Sequence, residues 1–447
     1  MEESTTKNQS RKTIRAWAMF DWSNSAYNLV ITSTIFPAYY TAITSNGAGD
    51  RVDFFGFSFV NTALANYALA FSYLLMVICL PVLSSIADAR DNRKRMMQGF
   101  TFFGSLACMG LFFFKLETLE WGIICSIIAA MGYIGGVLFN NSYLPEIAKP
   151  EEQDKVSAQG FAYGYIGSVL LQVICFIFVL KPDWFGITDP SLPARISFLL
   201  VGIWWLGFSQ ITFKHLPKGH KEKRTLNHQV LQQGFQELRK VIAQVKHHLA
   251  LRRFLPAFFF YSMGVQTVML VATAFGEKIL HLGTSKLIAT ILIIQLVAIA
   301  GAYLMSALAR RYGNIWVLSL AVFAWIGVCL MAYVLSNEWQ FYGIAILVGC
   351  VMGGIQSLSR STFSKLIPEE TEDPASFFSL YDVTEKVAIV LGLFTFAFIE
   401  DMTHNIRFSA LSLTLFFLVG LLLLFRIPAV AALRGVKKQA AAPGQGS

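Results

Sequence analysis

The sequence predicts an all-α integral membrane protein of twelve transmembrane helices, arranged as two six-helix halves. Three observations lead there. The 447 residues are 55% hydrophobic and only 14% charged, which excludes disorder and argues against one large soluble globule. Apolar runs of bilayer length, about twenty residues or more, recur along the chain on both sides of a single long polar interval. Lys and Arg concentrate in alternate loops between those runs, the pattern that orients a polytopic chain.

The first run, at roughly 15–40, opens with Arg15-Ala-Trp-Ala-Met-Phe-Asp21-Trp-Ser-Asn-Ser25-Ala-Tyr-Asn28. Asp21, Ser25, Asn28 and Thr32 recur at helical spacing, so they are predicted to form one polar stripe on one helix face. A charge at the bilayer centre costs roughly 2.5–3.5 kcal/mol even on lenient scales. Such a stripe should face a wet cavity or protein interior. The polar N-terminal tail has no short apolar core followed by a cleavage site, so this helix is expected to stay as a span.

Further runs lie at roughly 58–87, 96–115, 119–143, 158–180 and 195–213, and then at 253–276, 285–308, 315–335, 340–362, 376–398 and 406–426. The expected division is therefore 1–213, a linker over 214–252, and 253–447. With the N-terminus inside, the inner loops and tails carry 27 Lys or Arg against 7 outside, and ten of the 27 belong to the central loop. The charge bias predicts both termini in the cytoplasm. Within the linker, Leu231, Phe235, Leu238, Ile242, Val245 and Leu249 share one face of a helix flanked by basic residues. That predicts an amphipathic helix on the membrane surface or against the bundle.

The halves carry traces of duplication. Pro150-Glu-Glu152 and Pro368-Glu-Glu370 are 218 residues apart, as are Tyr163 and Tyr381. The basic turn Asp88-Ala-Arg-Asp-Asn-Arg-Lys-Arg95 has a shorter counterpart in Arg310-Arg-Tyr-Gly-Asn314. Parallel halves related by an axis along the membrane normal are the plan of the major facilitator fold.

Charges inside the spans are the candidate pathway. Arg360 lies in span ten, and Tyr381-Asp-Val-Thr-Glu-Lys386 lies in span eleven. Asp382 and Lys386 are one turn apart and are expected to pair, which leaves Glu385 to Arg360 if the two spans pack together. Either these are buried ion pairs that fix helix register, or they bind a charged substrate or change protonation; intramembrane charges favour the second reading. Tyr163 and Gln356 are neutral candidates for a cavity wall. Asp88, Arg93, Lys94 and Arg95 form a gate or hinge turn. Gly160, Gly164, Gly167, Gly349, Gly353 and Gly354 allow close helix approach.

Several function classes are disfavoured. The six cysteines fall inside apolar runs without paired spacing, so neither disulfides nor a metal site is expected. The net charge of +9 is spread between spans and gives no nucleic-acid surface. No Gly-rich nucleotide loop, His-Glu-x-x-His pattern or nucleophile elbow is present, so no enzyme activity and no cofactor are expected.

The residues of the first helix, Ala16-Trp-Ala-Met-Phe-Asp-Trp-Ser-Asn-Ser-Ala-Tyr27, resemble the signature of the vacuole effluxer-like family of the major facilitator superfamily, whose eukaryotic members are autophagy-related vacuolar amino-acid exporters. Ile86-Ala-Asp88 with its basic turn, Asn141-Ser-Tyr-Leu-Pro-Glu146 and Gly353-Gly-Ile-Gln-Ser-Leu-Ser-Arg360 agree with it. Carried over residue by residue, Asp21, Asn24, Ser25, Arg360 and Lys386 match characteristic positions. Asp91 stands where the family's basic turn has glycine, which puts the usual turn geometry in question. Leu393 follows Gly392 where proline is common, which predicts a straighter span eleven. The resemblance implies a secondary active transporter that moves a small solute, of which amino acids are one class, outward by alternating access. One charge moved through about 100 mV supplies ~2.3 kcal/mol without ATP. Protons or another ion would couple through Asp21, Asp382 and Glu385. The alternative is a non-transporting membrane sensor or scaffold that kept the fold. A monomer in a bacterial-type cytoplasmic membrane, with no partner beyond lipid, solute and coupling ion, completes the expectation.

Overall fold

The computed structural model describes residues 2–45, 50–217, 228–368, 371 and 373–427. The elements run α1 (Glu2–Tyr27), a π-helical stretch (Asn28–Thr34), α2 (Ile35–Thr44), strands β1 (Arg51–Phe54) and β2 (Phe57–Val60), then α3 (Asn61–Ala89), α4 (Arg93–Gly110) and α5 (Leu119–Asn141). They continue with α6 (Leu144–Ile147), α7 (Gln153–Leu180), α8 (Leu192–His215), α9 (His228–His247), α10 (Leu249–Leu280), α11 (Thr284–Tyr312), α12 (Asn314–Tyr333), α13 (Glu338–Leu366), α14 (Pro374–Thr403) and α15 (Ile406–Leu424).

Ten helical segments among the described residues are long and apolar enough to cross a bilayer. The remaining two of the twelve spans are the ones that carry charge or a break. Span eleven is α14, which holds Asp382, Glu385 and Lys386 and runs unbroken through Gly392-Leu393, as the missing proline predicts. Span one is α1 and α2 joined through the π stretch. There, Val30, Ile31, Thr32 and Thr34 crowd the helix with β-branched side chains. Ser33 Oγ donates to Asn28 O at 2.9 Å and Thr34 Oγ1 to Leu29 O at 2.8 Å, both five residues back. The wider turn breaks the 3.6-residue register, so the predicted stripe holds through Asn28 and does not continue to Thr32 in α-helical phase.

Span two begins at Asn61, three residues later than the apolar run suggested, because residues 51–60 form an antiparallel hairpin. The alternation Arg-Val-Asp-Phe and Phe-Ser-Phe-Val around a two-residue turn was the available signal. In the linker, α9 forms as expected, but with an offset: Val241 is buried, Val245 half-buried, and Ile242 and Leu249 are exposed. On the described part of α9 the apolar stripe is thus exposed at Ile242 and half-buried at Val245. The side chains of Leu231, Phe235 and Leu238 lie outside the described residues, as do Glu369, Glu370 and the tail from 428.

Two compact units comprise the described residues of Met1–Tyr143, Gly160–Leu238 and Asp373–Lys386, and of Leu144–Gln159, Arg239–Glu372 and Val387–Ser447. In the first unit, α1 packs on α8, α3 on α5, and α4 on both α5 and α8. In the second, α10 packs on α15, α11 on α13, and α12 on both α13 and α15. With spans one to six matched to seven to twelve, these are the same four pairings, as duplication requires. Small residues set the closest ones. A Cβ on Gly353 or Gly301 would overlap the carbonyls of Ala298 and Cys350 between α11 and α13, and one on Gly132 would strike the Gly104 backbone between α4 and α5.

Candidate functional site

Asp21 is 8% exposed, in the last two turns of α1. It is held by Asn140 of α5, whose Nδ2 donates to Asp21 Oδ1 at 3.3 Å, while Trp17 Nε1 donates to Asn140 O at 2.7 Å. Asn24 is buried on the same helix. Ser25 and Asn28 are half-buried, and Ser25 stands against Gly164 of α7, where a Cβ would clash with it. Glycine at 164 is therefore what allows α7 to approach the polar face of α1. Tyr163 is half-buried next to it.

The charges of α14 pair differently from the spacing argument. Lys386 Nζ lies 2.7 Å from Glu385 Oε2, its neighbour in sequence. Glutamate's extra methylene lets its carboxylate swing through the 100° between adjacent helical positions, whereas Asp382 has a shorter reach. Asp382 is 3% exposed and acts on the same ammonium through its charge. The Lys386 ammonium also sits 6.0 Å from the Tyr73 ring centroid of α3. Tyr133 of α5 is within electrostatic reach of Lys386, Glu385, Tyr73 and Asp21, and its ring lies 5.1 Å from that of Tyr27. Tyr381 is buried one turn before Glu385, with its ring 6.2 Å from Phe378. The first unit thus gathers one ammonium, three carboxylates and four phenols from α1, α3, α5 and α14. Tyr27, Tyr73 and Tyr133 were absent from the sequence-based set. Their only signal was a hydroxyl-bearing aromatic placed mid-span.

Arg360 donates from Nε to Ser157 Oγ at 2.9 Å and from Nη2 to Ser157 O at 2.8 Å. Beside it is a network that sequence reading missed. Asp154, at the start of α7, accepts from Asn314 Nδ2 and Ser361 Oγ, both at 2.7 Å, and from Lys365 Nζ at 2.5 Å. Neither Lys365 nor Asp154 was among the sequence-based candidates. Both are buried in the second unit, where an acid so enclosed needs its three donors. Gln356 is half-buried on α13 and donates to the Met269 sulfur at 3.4 Å.

The basic turn holds a helix end. Asp88 accepts from the Ala375 and Ser376 backbone N–H groups at 3.2 and 2.7 Å and from Ser376 Oγ at 2.8 Å. A carboxylate at a helix N-terminus satisfies orphan donors and meets the positive end of the helix dipole. Arg93 lies 3.9 Å from Asp88, donates to Ser142 O at 3.2 Å and covers the Tyr143 ring at 4.9 Å. Lys94 donates to Leu216 O at 2.9 Å, whereas Arg95 is exposed. The turn keeps a left-handed residue without glycine: Asp91 has φ +51°, with its N–H bonded to Asp88 O and that of Asn92 to Ala87 O. Aspartate tolerates this conformation better than most residues.

Among the described residues no group of His, Cys, Asp or Glu is placed to hold a metal ion, and the six cysteines are free thiols. Buried charges on helices that cross a bilayer point to solute passage, and the chain's relatives agree. It is 28% identical to the uncharacterized MFS-type transporter YxiO of Bacillus subtilis, covering 92% of this chain and 94% of that one. It is 24% identical to autophagy-related protein 22 of Eremothecium gossypii, covering 91% and 89%. In fold it matches the proton:xylose symporter XylE at a TM-score of 0.71 and 12% identity over 96% of this chain and 99% of the other. The transporter FucP matches at 0.69 and 13% over 93% and 98%. The fold is that of the major facilitator superfamily, and its relatives are membrane transporters rather than enzymes. The family model described as vacuole effluxer Atg22 like matches residues 9–437, and the chain belongs to that family.

Proposed function

We propose that this transporter is a secondary active exporter of a small zwitterionic solute, with amino acids as the substrate class, working by alternating access. The observation that carries the reading is the half-buried Lys386–Glu385 pair beside Tyr73, with Asp21 and Asp382 in the same unit. An ammonium that must give up a protein carboxylate to bind a substrate carboxylate is matched by a released Glu385 that can take the substrate's amino group. The exchange keeps every buried charge paired, which a buried site demands. Asn24, Ser25 and Asn28 on α1, Tyr163 on α7, Tyr381 on α14, and Gln356 and Arg360 on α13 are assigned to the pathway around it. Asp21, Asp382 and Glu385 are the groups through which protons would couple.

Asp88, Arg93, Lys94 and Arg95 are read as the gate turn, since releasing Asp88 from Ala375 and Ser376 would free the start of α14. The functional division is 1–213, the linker 214–252 and 253–447, in a monomer of a bacterial-type cytoplasmic membrane with both termini inside. The test is counterflow of labelled amino acids in vesicles carrying the full chain. Saturable counterflow that is abolished in Lys386→Gln, while that variant remains folded and inserted, supports the reading. Counterflow of sugars or organic anions with none of any amino acid would overturn it.

A further inference from the structure

The turn of the β1–β2 hairpin holds an unexpected residue. Its two central positions, Phe55 and Gly56, both have positive φ, +49° and +82°. That geometry calls for Asn-Gly or Gly-Gly, and a bulky residue there is strained. Neither Phe55 nor its neighbour finds compensation inside the protein. Phe55 is 64% exposed and Phe57 71% exposed, and the ring contact recorded for Phe55 is with the adjacent Phe54.

The rest of the hairpin is firmly held. Val52 is buried, and Phe54 and Phe59 pack on the core of the first unit. Asn61 N donates to Asp50 O at 2.8 Å across the hairpin base, and Arg51 binds Ser58 through both its hydroxyl and its carbonyl. Tyr40 Oη donates to Asn61 O at 2.7 Å, anchoring that base on α2. The opposite strand face carries Arg51, Asp53 and Ser58, all exposed. A rigid arm with one polar face thus presents two phenyl rings at its tip.

Its position says what meets them. The Phe59 ring lies 6.4 Å from that of Tyr67, so β2 runs beside the first turns of α3. Tyr67, Phe71, Leu74 and Ile78 are all exposed and recur at steps of four, three and four. In a membrane-spanning helix such a stripe faces lipid. Through the Phe59–Tyr67 contact the hairpin joins the lipid-facing stripe of span two. We infer that the β1–β2 hairpin is a membrane-interface anchor, with Phe55 and Phe57 seated at the headgroup–acyl boundary and Arg51, Asp53 and Ser58 toward water. Aromatic side chains at that depth are favoured in membrane proteins.

The test uses the full chain, made cysteine-free and reconstituted in phosphatidylcholine vesicles, with Phe55→Cys, Phe57→Cys or Ser58→Cys carrying a nitrobenzoxadiazole label. Nitroxide lipids labelled high on the acyl chain should quench the probes at 55 and 57 at least twofold more than the probe at 58. Aqueous iodide should show the reverse order. Equal iodide quenching at all three positions would overturn the inference. So would intermolecular disulfide trapping of Phe55→Cys at near-complete yield, which would assign the tip to a second copy of the chain. The Phe57→Cys probe keeps the strained position intact, so a turn distorted by Phe55→Cys does not blunt the test.

Discussion

Lys386 illustrates how one side chain can serve a scaffold or a substrate. Its 2.7 Å contact with Glu385 is half-buried. Removing either partner should strand a charge and destabilise the protein, by less than the about 3–5 kcal/mol of a fully buried pair. In a double-mutant cycle of Lys386→Gln and Glu385→Gln, the double variant should recover most of the stability but not the transport, as read by thermal unfolding and vesicle flux. Recovery of both would make the pair structural. Asp91 gives a second residue-scale test. Its φ of +51° is one that glycine adopts freely, so Asp91→Gly should raise the melting temperature in detergent, by up to about 1 kcal/mol of stability.

Helices α13 and α14 show how elements depend on single positions. In α13, Gly353 abuts the Ala298 carbonyl, whereas a Cβ on Gly343 would meet nothing within 4 Å. Gly353→Val should therefore lose about 1–3 kcal/mol through overpacking, while Gly343→Ala should be neutral or mildly stabilising. Thermal unfolding of the two variants side by side separates packing from propensity. The start of α14 is capped from another helix by Asp88. Asp88→Ala should remove about 0.5–2 kcal/mol of capping and speed amide exchange at Ala375 and Ser376. Unchanged protection there would show that the cap does not hold that end.

The whole molecule is a twelve-span chain whose two halves repeat the same helix pairings. Its orientation rests on the charge bias of its loops. Cysteine accessibility should place Asp50 outside and Val230 inside; the same side for both would break the count of five spans between them. The bias was legible because translocation acts on loop composition, before any tertiary contact exists. Span number was legible for the same kind of reason, since length and hydropathy decide whether a segment enters lipid.

Sequence alone was thus enough to establish the membrane class, the twelve spans, the duplication and the presence of Asp21, Arg360 and Lys386 as intramembrane charges. Partners were a different matter. Helical spacing favoured Asp382 for Lys386, whereas the folded chain joins Lys386 to Glu385, and it did not point to the Ser157 bonds of Arg360. Asp154, Tyr73 and Tyr133 carried no local pattern at all, because their neighbours come from helices far away in the chain. The π turn at Asn28–Thr34 also escaped the 3.6-residue rule, which does not count the Ser33 and Thr34 hydroxyls bonding carbonyls five residues back. Local composition fixes which segments enter the bilayer, but only the packing of those segments decides which buried charges meet.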